Sequence, residues 1–115
     1  MDISEANRFT MASVPHRCSD PHGLYYPECD RAGCGTKVFE ENEMAMGPSE
    51  DFIIDTTKPY KHITAFETLA DGKLSAIKNT LSQEDRSFEF YACGNQEYLE
   101  DMTDYLANDM AIVFS

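Results

Sequence analysis

The sequence predicts an α+β domain: short antiparallel strands and a zinc-stabilised loop region, packed on two to three helices. Three observations predict it. Cys18, Cys29, Cys34 and His62 stand with ten residues between the first two and twenty-seven between the last two, and three thiolates with one imidazole make a structural zinc set. Short apolar patches at 36–39, 43–47 and 52–54 read as strands around the Glu41-Asn42 turn. Apolar residues then recur at spacings of three and four from Phe66 to Leu81 and from Tyr98 to Met110, which is the helical period.

Taken in order, residues 1–15 are polar and aperiodic and read as a flexible N-terminal arm. Residues 16–35 carry Asp20-Pro21, His22-Gly23, Tyr26-Pro27, Ala32-Gly33 and Gly35, too many breakers for a regular element. Such a stretch needs something to hold it, and three of the four cysteines lie there. Thr36–Phe39, Glu43–Gly47 and Phe52–Ile54 supply the strands. Thr64 opens an expected helix whose face runs Phe66, Leu69, Ala70, Leu74, Ile77 and Leu81, with Gly72 weakening its middle by about 1 kcal/mol relative to Ala. Ser87–Ala92 alternates as a strand. Asn95 then caps the last helix, whose apolar stripe is Tyr98, Leu99, Met102, Tyr105, Leu106 and Met110. The expected division is an arm at 1–15 and one small domain at 16–115. A zinc-finger-like part would fill 16–81 and an acidic strand-helix extension 82–115.

Charge constrains function more than any single residue. There are 21 acids against 9 Lys and Arg, a net charge of −12. From Ser82 onward eight acids face one base, Arg86. The only concentration of bases is Lys58 and Lys61 beside His62, then Lys73 and Lys78. No Gly-rich phosphate loop and no nucleophile elbow is visible, so the expectation is a binding module and not an enzyme. No basic-then-apolar leader opens the chain and no apolar run is long enough to span a bilayer. Cysteines in that setting predict a reducing, intracellular location, nuclear or cytoplasmic, and metal in place of disulfides.

One family resemblance follows. Cys34-Gly35-Thr36-Lys37-Val38-Phe39-Glu40-Glu41-Asn42-Glu43-Met44-Ala45-Met46-Gly47 resembles the strand region after the cysteine pair of the PARP-type zinc finger. Tyr60-Lys61-His62 stands where that family has Trp-x-His. The resemblance spans roughly residues 17–80 and implies a bound zinc and DNA contact. Two departures stand out: Ala65 replaces the family's last cysteine, and Ala45 replaces its strand arginine. The fourth ligand is therefore open among Cys18, Cys93, His16 or none.

Three functions compete at this level. The first is a zinc-binding module with weak DNA contact through Lys37, Lys58, Lys61, Lys73 and Lys78. The second is an acidic interaction module whose last helix offers Glu97, Glu100, Asp101, Asp104 and Asp109 to a basic protein partner. The third is a small secreted protein linked by disulfides. None of the three uses a membrane or a small-molecule substrate.

Overall fold

Strands, not helices, dominate the molecule. The computed structural model describes residues 1–18, 29–108 and 110–115. Its first strand is β1 (Asp2–Ala6), which runs antiparallel to β2 (Met11–Val14). Asn7 makes the connection, its Oδ1 accepting the N–H groups of Phe9 and Thr10 at 2.8 and 3.1 Å, as turn asparagines do. β3 (Thr36–Lys37) joins the outer edge of β2, and β9 (Val113–Phe114) runs parallel to β1, giving the order β3-β2-β1-β9. Residues 1–15, expected as a loose arm, thus include the two central strands of a sheet. Met1, Ile3, Met11 and Val14 are buried there. The sequence shows no apolar alternation here because the polar Ser13 occupies a fully buried position.

The short helix α1 (Val38–Glu41) and the parallel pair β4 (Met46–Gly47) and β5 (Ile54–Asp55) follow. An antiparallel meander comes next: β6 (Lys61–Thr68), β7 (Leu74–Gln83) and β8 (Arg86–Tyr91). The helix expected from Thr64 is therefore a hairpin. Gly72 lies in its turn at φ +87°, where a residue without Cβ costs nothing, and Asp71 Oδ1 accepts the Lys73 N–H at 3.0 Å. The helical period was an accident of composition. β7 alternates strictly from Ile77 to Gln83, but two of its four buried positions there are the polar Asn79 and Gln83. Gln83 earns its burial by serving β5: its Oε1 accepts the Asp55 N–H at 2.8 Å and its Nε2 donates to the Asp55 carbonyl at 2.9 Å.

The expected strand at 87–92 is β8. The expected last helix is present in two pieces, α2 (Gln96–Asp101) and α3 (Thr103–Asn108). Asn95 caps α2, its side chain accepting the Tyr98 N–H at 3.1 Å. Tyr98, Leu99 and Met102 pack on Leu74, Ile77 and Ile3 in one core, while Met11, Val38, Met46, Ile54, Leu81 and Phe90 form a second. β7 supplies both. Each fully buried Leu or Ile in these clusters contributes about 1.5–3 kcal/mol.

All four cysteines are in disulfides, Cys18 with Cys29 and Cys34 with Cys93. This overturns the zinc expectation, because a disulfide sulfur is not a thiolate ligand. His62, the expected fourth ligand, lies on β6, where its Nε2 donates to Asn79 Oδ1 at 2.8 Å. Among the described residues no group of His, Cys, Asp or Glu is arranged to hold a metal ion. His22 lies outside the described residues. The zinc-stabilised α+β architecture gives way to a β-rich one in which two covalent bridges hold the turn-rich region.

Candidate active site

A β-bulge builds the site. Asp2 pairs with Val14 and Glu5 with Ala12, so three steps on β1 match two on β2. In a regular strand residues three apart point to opposite faces; the extra residue turns both carboxylates to one side, as bulges do beside functional sites. Ala12, Val14 and His16, alternating along β2 and its extension, line the same side. The result is an open cleft of about 470 Å³, closed off by Arg31–Gly33, Gly35, Lys37 and Glu40, within the size range of small-ligand sites.

The three carboxylates differ in their commitments. Glu40 is held by Lys37 Nζ at 2.9 Å. Asp2 Oδ2 lies 2.8 Å from His16 Nε2. Glu5 is exposed and makes no side-chain hydrogen bond or ion pair among the described residues. His16 Nδ1 lies 2.8 Å from the backbone carbonyl of Asp30. A carbonyl can only accept, so Nδ1 carries a proton. A second proton must then lie between Nε2 and Asp2, which makes the pair either imidazolium with carboxylate or imidazole with carboxylic acid.

Close approach keeps His16 in place. Gly33 has φ +71°, and a Cβ there would come within 2.5 Å of Val14 Cγ1 and 2.9 Å of His16 Cε1. Asp30 is fixed by its own side chain, which accepts the Ala32 N–H at 3.0 Å and the Tyr98 hydroxyl at 3.0 Å. Donation from the Gly33 backbone and then from Tyr98 holds the Asp30 carboxyl below its ordinary range, while burial pushes the Tyr98 phenol up.

The residues expected to carry function lie elsewhere and do not gather. Lys37, Lys58, Lys73 and Lys78 are paired with Glu40, Asp55, Glu100 and Glu89 on separate elements, and Lys61 lies on β6. Among the described residues these lysines form no continuous cationic track for a phosphate backbone. On α2, Glu100 holds Lys73 and Asp101 holds Arg17; Glu97 and Asp104 are exposed. Asp109 lies outside the described residues.

The model of glycosyl hydrolase family 7 matches residues 1–115, the whole chain. The chain belongs to glycosyl hydrolase family 7. Among curated relatives, endoglucanase 1 of Pyricularia oryzae is 38% identical over 96 residues, covering 72% of this chain and 22% of that protein. The probable endo-beta-1,4-glucanase celB of Aspergillus clavatus is 34% identical over 88 residues, covering 68% of this chain and 20% of that protein. Among solved structures, a mutant of the Humicola insolens endocellulase Cel7B (EG 1) superposes with a TM-score of 0.70 at 30% identity, over 89% of this chain and 30% of that one. The chain thus spans about a fifth of the length of the curated relatives it matches.

Membership in family 7 corrects several expectations together. The PARP-type resemblance was a coincidence of short strand-like residues, and the zinc-finger and DNA-binding readings go with it. The expectation of a non-enzymatic interaction module is overturned, since the family is one of hydrolases. The intracellular, reducing location is overturned by the two disulfides, which form and persist in oxidising compartments. The cleft does not show in the sequence reading because Asp2 and Glu5 fall in the expected arm. A usable signal was there: two acids three apart in a short strand-forming run, with a histidine just past the next such run.

Proposed function

We propose that this chain contributes the acid–base side of a site that cleaves β-1,4-linked glucan, with the β1–β2 cleft as the seat of the sugar. The observation that carries the reading is the bulge that turns Asp2 and Glu5 into one open cleft while leaving Glu5 uncommitted. Glycoside hydrolysis asks for two carboxyl groups across the scissile bond, one to protonate the leaving oxygen and one to attack or to activate water. Glu5 suits the first role. It is exposed, free to reach a ligand, and a sugar laid over it would exclude water, which favours the neutral, proton-donating form of a carboxyl. Asp2, tied to His16, suits a positioning role, keeping charge and a shared proton beside Glu5. The names of the relatives, endoglucanases and a probable endo-beta-1,4-glucanase, support glucan as the substrate class.

The test uses cello-oligosaccharides. Titration of the ¹⁵N-labelled chain with cellotetraose should move the amide signals of Ala12, Gly33 and Gly35. Glu5→Gln should keep that binding and, with this chain joined to the segment that carries the second carboxyl group, lower the release of reducing ends by about 10²–10⁴-fold, the range for losing a general acid. Absence of saturable binding, or hydrolysis unaffected by Glu5→Gln, would overturn the reading.

A further inference from the structure

We propose that Tyr98, on α2, is a positioning residue for the Asp2–His16 pair and acts on it through Asp30. Its bearing on hydrolysis rests on the glucan-site reading above; the positioning itself does not. Tyr98 is buried, and its hydroxyl meets three groups: the Arg17 N–H at 2.8 Å, the Pro15 carbonyl at 3.2 Å and Asp30 Oδ2 at 3.0 Å. The phenol has one proton to give. The Pro15 carbonyl already accepts the Cys34 N–H at 3.0 Å, while Asp30 offers an ionised acceptor, which makes the stronger bond. The proton therefore goes to Asp30.

Asp30 is the hinge of the arrangement. Its side chain is drawn inward by Tyr98 and by the backbone of the 30–33 turn, and its backbone carbonyl then faces outward onto His16 Nδ1. Arg17 closes the latch from the other side. Its guanidinium sits 4.8 Å from the Tyr98 ring centroid and bonds Asp101 at 2.8 Å. A chain of bonds thus runs from α2 to β1: Tyr98, Asp30, His16, Asp2. The other charged groups facing His16 across the cleft are Glu5 from β1, Arg31, Lys37 from β3 and Glu40 from α1. Lys37 and Glu40 are held by each other at 2.9 Å, so neither stands in for the Asp30 carbonyl. Remove the phenol oxygen and Asp30 keeps the turn N–H groups on its side chain and its own N–H on the Arg17 carbonyl at 2.7 Å, but it loses the one tie that runs to α2, and the peptide that orients Nδ1 is held less firmly.

The experiment reads the ring nitrogens of His16 by NMR in the ligand-free chain. In the wild type the Nδ1–H should show as a proton held by the Asp30 carbonyl. In Tyr98→Phe that proton should exchange faster and its signal should shift as the bond weakens, with backbone amide signals away from residues 15–17 and 30–34 unchanged. Asp30→Asn, which keeps size and an acceptor oxygen but weakens the bond, should give a smaller change in the same direction, and it decides the matter if Tyr98→Phe fails to fold. His16 signals identical to wild type in a folded variant of either kind would overturn the proposal. If the chain binds no cellotetraose, the glucan reading falls, yet the nitrogen signals still decide the positioning.

Discussion

Asp30 illustrates how much a single polar residue carries here. Its carboxyl sits below its ordinary range because the Gly33 backbone and the Tyr98 hydroxyl donate to its charged form. A carboxyl whose folded value lies below its unfolded value of about 3.9 stabilises the fold above that pH and loses the contribution as pH falls through the folded value. Unfolding midpoints in urea should therefore drop as pH goes from 5 toward 2.5, and Asp30→Asn should flatten part of that slope. Nothing in the sequence marks Asp30 as a functional residue, and Asp2 and Glu5 are marked only by their spacing and by the histidine past the next run. Isolated acids in a chain with 21 of them carry no mark of their partners. His16 was noticed, but only as a spare metal ligand, because its two hydrogen-bond partners lie 14 residues away on either side.

At the scale of elements, local chemistry was legible where it acts locally. Asn95 caps α2 as its sequence position suggests, and the stripe beginning at Tyr98 faces the core. The β6–β7 hairpin was misread, since apolar spacing alone did not reveal that Asn79 and Gln83 are core-facing. Gly72, which would weaken a helix, sits in the turn that makes the hairpin. The Cys34–Cys93 bridge ties the entry of β3 to the end of β8 across 59 positions. Closing a loop of that length restricts the unfolded chain by about 4 kcal/mol in the chain-entropy account. Replacing both cysteines with alanine should cost stability of that order in denaturant melts, and should cost more than the same change at Cys18 and Cys29, whose loop spans 11.

At the scale of the whole molecule, the choice between metal and disulfide has a direct readout. A thiol reductant should lower the melting temperature substantially, whereas a strong zinc chelator should leave it unchanged. The opposite pattern, a loss with chelator and none with reductant, would return the cysteines to zinc. The net charge of −12 is better accommodated than the sequence suggested, because acids on α2 and β8 recruit Lys73, Arg17 and Lys78 from other elements. Such surface pairs contribute little each, yet they remove the lysines from any cationic patch. The sequence by itself determined the acidic surface, the Asn95 cap, the strand at β8 and the breaker-rich stretch that needs external ties, because each of these depends on neighbours within a few residues. Only the tertiary structure decided which cysteines pair, that β1 and β2 are central strands, and that a bulge aims Asp2 and Glu5 into one cleft. Those outcomes depend on register and on contacts between residues far apart in the chain, and no short-range pattern encodes which distant segment will be the partner.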